Sequence, residues 1–123
     1  MLKIAHRDYA KNYKENTAHA FEDAIHNNFD VIEIDIQLDK NNKIIVFHDT
    51  HINFQLVNTI SYEEIIQSIP DVILLSTFFE RFDYQKIQIY LDLKGSTKLA
   101  EILHIFIIEN NINIEKIWFA SFN

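Results

Sequence analysis

Three short clusters of reactive side chains stand out along the chain: Glu33 with Asp35, Asp92 with Lys94, and His6 beside Arg7. Glu33 and Asp35 lie two apart in "VIEIDIQL" (31–38), so on an extended strand both carboxylates project to one side. Like charges that close repel, and a hard divalent cation with oxygen ligands is the common resolution. The same alternation is ordinary for a strand face turned to solvent, so the pair alone does not decide. The segment that follows adds to it. With Asn41 and Asn42 as a two-residue turn, Asp35 falls directly opposite His48 on the returning strand. Directly opposed residues share a face with Cβ atoms roughly 5 Å apart, so an imidazole would stand beside the carboxylates.

Asp92 and Lys94 repeat the same-side spacing with one acid and one base. Together they offer a third oxygen ligand and a cation for a phosphate; an exposed ion pair would look the same. His6 closes the first predicted strand and is followed by Arg7, one of only two arginines in the chain. His19, His26, His51 and His104 fall on predicted helices or in a loop without reactive neighbours, and read as surface or packing residues.

The elements that must position these groups alternate between strand and helix. "LKIAH" (2–6) reads as a short strand. Residues 17–28 place Ala18, Phe21, Ala24 and Ile25 on one helical stripe, with Asn16 as N-cap. Residues 31–38 alternate Ile32, Ile34, Ile36 and Leu38 against Glu33, Asp35 and Gln37, and "KIIVFH" (43–48) returns as their hairpin partner. Ser61 and Glu64 form a capping box opening a helix that stops near Pro70. A second helical stretch is predicted from Asp71, with Leu74, Leu75, Phe78 and Phe82 on one side. Then come a strand at 87–94, a helix at 97–110 and a strand at 116–122.

Such alternation implies an α/β fold with mostly parallel strands and one β-hairpin. Two strands carry acids on a face that parallel strands usually keep apolar, so that face lines something polar. Sites of this kind sit at the strands' carboxyl ends, at the mouth of a barrel or open sheet.

The 123 residues, 48% apolar and 24% charged, fit one soluble globular domain over 1–123, with no linker, repeat or low-complexity segment. A net charge of -7 without a basic stripe argues against nucleic acid as a partner. No apolar run is long enough to span a bilayer, and "MLKIAHRDYAKN" lacks the apolar core of a signal peptide. Zero cysteines suit a reducing compartment, and the chain is expected to be cytoplasmic.

Three collinear segments carry a resemblance. "IAHRDYAKNYKENTAHAFEDAI", "DVIEIDIQLDKNNKIIVFHDT" and "IYLDLK" resemble the successive motifs of the glycerophosphodiester phosphodiesterase family, phospholipase-C-like enzymes with a TIM-type barrel. The resemblance implies that His6 and His48 are the acid–base pair, that Arg7 grips the substrate phosphate with Lys94 near it, and that Glu33, Asp35 and Asp92 hold the metal. Glu15, in "ENT", matches a family glutamate of the second shell or a ligand. The implied cofactor is a divalent cation, Ca2+ or Mg2+. The implied reaction has the substrate's glycerol hydroxyl attack phosphorus, one histidine taking its proton and the other protonating the leaving alcohol. Water then opens the cyclic phosphate to glycerol 3-phosphate. Two imidazoles can divide acid and base work near neutral pH.

The chain departs from the family pattern at Asp8, where the family has glycine, and at Asp92, where it usually has the longer glutamate. Residues 50–60 lack the family's Gly-rich, Arg-containing loop. At 123 residues the chain makes about half of an eight-unit barrel of around 250. A half-length barrel leaves strand edges uncovered, so a homo-oligomer or a second-half partner is expected. The other expectation, from a different functional class, is a catalytically impaired half-barrel kept as a binding or assembly module.

Overall fold

The structure, a computed structural model, describes residues 4–5, 31–82 and 88–121. The helix predicted over 17–28 lies outside them. Strands β1 (Ile4–Ala5), β2 (Val31–Leu38), β7 (Gln88–Leu93) and β8 (Ile117–Ser121) run parallel in one sheet, β2 pairing with both β1 and β7, and β7 with β8. Helices α1 (Tyr62–Ser68) and α2 (Leu75–Arg81) come between β2 and β7, and α3 (Lys98–Glu109) between β7 and β8. This is the parallel strand–helix alternation expected of a partial TIM-type β/α barrel.

β2 is buried on both faces, Glu33 alone being half-exposed. Its isoleucines join Leu75 and Phe78 of α2 and Leu99, Leu103 and Ile107 of α3 in the main core. Phe78 stacks edge-on against Phe79, their centroids 5.3 Å apart. A second cluster, Ile45, Ile52, Val57, Ile60, Ile65 and Val72, seals the stretch of chain between β2 and α2. Among the described residues no helix is long and apolar enough to cross a membrane.

The hairpin forms with a register one residue away from expectation. β3 (Ile44–Val46) pairs with β2 through Ile36↔Val46, Gln37↔Ile45 and Leu38↔Ile44. Asp35 therefore stands opposite Phe47, whose N–H donates to the Asp35 carbonyl at 3.0 Å, and not opposite His48. The cause is Asp39. Its Oδ1 accepts from the N–H groups of Asn41 and Lys43 at 2.8 and 2.7 Å, drawing the turn into a three-residue loop with Asn42 in the left-handed region at φ 63°.

Two further elements differ from the sequence reading. Ile73–Leu74 form β6, an antiparallel partner of β3, before α2 begins at Leu75; the open edge of β3 overrides the helical stripe predicted from Asp71. β4 (His51–Ile52) and β5 (Gln55–Leu56) make a small hairpin whose turn holds Asn53 and Phe54 at φ 50° and 67°. The capping box is present in part, the Ser61 hydroxyl accepting from the Glu64 N–H.

Candidate metal centre and phosphate site

Glu33, Asp35 and Gln37 share one face of β2 because strand side chains alternate. β7 lies beside it in parallel register, with Asp35↔Asp92 as direct partners and Glu33↔Tyr90 one step back. Partners in register point to the same side, so the sheet itself brings the third carboxylate to the first two. One oxygen from each of Glu33, Asp35 and Asp92 lies within 4.8 Å of the others. Asp35 and Asp92 are buried, Glu33 half so.

Lys94 follows the end of β7 and stays in register through its N–H bond to the Ile36 carbonyl at 2.9 Å. Its ammonium sits 3.0 Å from Asp92 Oδ2 and 3.8 Å from Asp35 Oδ1. Gly95, the chain's only glycine, turns the backbone away at φ +83°. Among the described residues three carboxylates thus face a single ammonium. Asp92 Oδ1 is buried and has no hydrogen-bond partner among the described residues. A buried carboxylate oxygen without a donor is costly, and an all-oxygen set of this kind suits a hard cation such as Ca2+ or Mg2+. The residues fit a metal.

His48 lies beyond the last ladder pair of β3, half-buried, with its Nδ1 2.9 Å from Asp49 Oδ1. It is not among the ligand atoms that converge at the acidic cluster. The segment carrying it is tied to β2 by Gln37, whose Nε2 donates to the carbonyls of Phe47 and Asp49 at 2.8 and 2.7 Å. Gln37 and Lys94 also line one small cavity of about 90 Å³ with Thr50, Leu56 and Gly95. The structure thus brings together Glu33, Asp35, Asp92 and Lys94, and places His48 on a neighbouring tethered segment. His6, Arg7 and Glu15 lie outside the described residues.

Sequence reasoning set Gln37 on the polar face of β2 without giving it a role; its place there was the available signal. Asp39 carried no signal beyond its position before a turn, yet it is 2% exposed and also accepts from the Tyr62 N–H through Oδ2 at 2.8 Å.

Comparison with known proteins points one way. A family model described as "Glycerophosphoryl diester phosphodiesterase family" matches residues 6–115. A glycerophosphodiester phosphodiesterase from Bacillus altitudinis is 45% identical over 71 residues, covering 53% of this chain and 29% of that protein. An uncharacterised protein of Mycoplasma genitalium is 29% identical across 98% of this chain and 59% of its own length. Among solved structures, a glycerophosphodiester phosphodiesterase from Thermotoga maritima superposes with a TM-score of 0.82 at 24% identity, over all of this chain and 55% of that one. An Oleispira antarctica phosphodiesterase, solved with its product sn-glycerol-3-phosphate, gives 0.82 at 20% identity over 100% of this chain and 58% of that one. The chain therefore spans little more than half of these structures, and less of the Bacillus relative. With most of its residues matched by the family model, the chain belongs to the glycerophosphoryl diester phosphodiesterase family.

Proposed function

We propose that this chain supplies the catalytic half of a metal-dependent hydrolase that cleaves glycerophosphodiesters to glycerol 3-phosphate and an alcohol. The observation that carries the reading is the in-register pairing of Asp35 with Asp92, which gathers three carboxylates beside the Lys94 ammonium. In this reading Glu33, Asp35 and Asp92 hold Ca2+ or Mg2+, Arg7 and Lys94 bind the substrate phosphate, and Glu15 supports the metal from the second shell or as a ligand. A bound divalent cation would offset negative charge developing on the phosphoryl oxygens.

The proton work falls to His6 and His48. One accepts the proton of the substrate's own glycerol hydroxyl as that oxygen bonds to phosphorus; the other gives a proton to the departing alcohol. Water then opens the cyclic phosphate, with the two imidazoles in reversed roles. Lys94 stays beside the reacting phosphate through both steps. The wall of the pocket facing this half is supplied by the other half of a barrel, on the same polypeptide or on a partner. The reading places the enzyme in the cytoplasm, in the turnover of lipid-derived diesters, which suits a chain without cysteine.

The test is release of glycerol 3-phosphate from glycerophosphocholine with Ca2+ or Mg2+ present. His6→Ala and His48→Ala are each expected to lower kcat by a factor of 100 or more, since general acid–base groups contribute about 10² to 10⁴. Turnover that survives either change removes the acid–base pair, and turnover that survives EDTA removes the metal.

A further inference from the structure

We infer that Gln37 is a positioning residue for His48: its buried amide clamps the chain on both sides of the histidine and so fixes the imidazole relative to the acids on the same strand. The inference rests on the reading of His48 given above. The β2–β3 ladder ends at Ile36↔Val46, so strand pairing stops before His48 is reached. Beyond that point the Phe47 N–H bonds the Asp35 carbonyl at 3.0 Å, and Gln37 Nε2 donates to the carbonyls of Phe47 and Asp49 at 2.8 and 2.7 Å.

A side-chain amide has two N–H donors, and here one goes to the residue before His48 and one to the residue after it. Gln37 is 4% exposed, so water does not compete for these bonds. The clamp reaches the imidazole by a second route as well. Asp49, whose carbonyl Gln37 holds, turns its carboxylate to His48 Nδ1 at 2.9 Å. Gln37 sits two residues after Asp35 on the same face, so a single strand sets both the carboxylates and the histidine segment. Asparagine cannot replace it, because losing one methylene draws the amide back by about 1.5 Å.

The experiment compares the wild type with Gln37→Met, which keeps the bulk and removes both donors, and with Gln37→Asn. Three readouts are taken: ¹⁵N order parameters at Phe47–Asp49, the Mg2+ dissociation constant, and kcat and KM on glycerophosphocholine. In both variants order parameters at 47–49 are expected to fall from about 0.85 to below about 0.6. With them kcat is expected to drop tenfold or more, while KM and Mg2+ affinity stay within twofold. Unchanged order parameters, or kcat within twofold, overturns the inference. So does a loss of Mg2+ affinity that matches the loss of kcat, because Gln37 would then act on the acids. If the wild type hydrolyses nothing, the functional reading fails and the order parameters alone decide the clamp. Should Gln37→Met not fold, the same readouts on Gln37→Asn decide.

Discussion

Lys94 stands between two carboxylates and neutralises part of the charge that a cation would otherwise meet, with Asp92 at 3.0 Å and Asp35 at 3.8 Å. Removing it separates its two proposed roles. Lys94→Met is expected to tighten Mg2+ binding by roughly three- to tenfold in titration calorimetry, since a positive charge leaves a partly buried ligand set. The same variant is expected to lose at least tenfold in turnover, because the phosphate loses its ammonium partner. Asp92→Asn is expected to act in the opposite sense on the metal, weakening it tenfold or more. A Lys94→Met protein that binds Mg2+ more weakly than wild type would place the ammonium outside the metal's field.

Turns and short strands set the site's frame, and two left-handed residues there have opposite expected effects. Gly95 adopts φ +83° with nothing among the described residues within 4 Å of where a Cβ would stand, so Gly95→Ala is expected to cost the conformational penalty, about 1–2 kcal/mol in urea denaturation. Phe54 adopts φ 67° at the tip of the β4–β5 hairpin with its ring fully exposed, so Phe54→Gly is expected to stabilise by about 0.5–1 kcal/mol. Tyr62, at the start of α1, donates its hydroxyl to the Val72 carbonyl at 2.9 Å, and burial raises its pKa above the ordinary 10.0. A raised folded-state pKa means this contribution is whole below pH 10.0 and is lost as pH climbs through the folded value. The stability gap between wild type and Tyr62→Phe, about 1 kcal/mol at pH 8, should therefore narrow above pH 10.

The elements show why some of this frame could be read in advance. Strict alternation marked β2 and β7, and the Ser61 cap marked α1, because those signals are local. The hairpin register depended on one carboxylate folding back on its own turn, and β6 depended on β3 having an edge to fill. Neither is visible in periodicity. The acids of the site were legible because they sit on regular strands. The placement of His48 was not, because it lies past the end of one.

At the scale of the molecule, β8 pairs with β7 on one side and, among the described residues, with no strand on the other. Trp118 and Phe119 are each nearly half exposed on this strand, and Phe119 joins Leu93, Leu103 and Ile107 around a cavity of about 320 Å³ beside α3. An edge of this kind invites a partner. Light scattering is expected to give a mass of at least twice the 14.6 kDa of one chain, with the emission of Trp118, the only tryptophan, shifting to the blue on association. A 14.6 kDa species at all concentrations would show that this edge does not pair with a second copy. The ladder step Asp35↔Asp92 has a wider consequence. Two anions held abreast by hydrogen bonding repel, and the Lys94 ammonium, set against both, offsets only part of that repulsion. Were a cation held there as proposed, folding and ion supply would be one equilibrium: at a hundredfold excess over Kd, it would add about 2.7 kcal/mol to the native state. Chelation would then lower the melting temperature, and a melting temperature unmoved by EDTA would uncouple the ion from the fold.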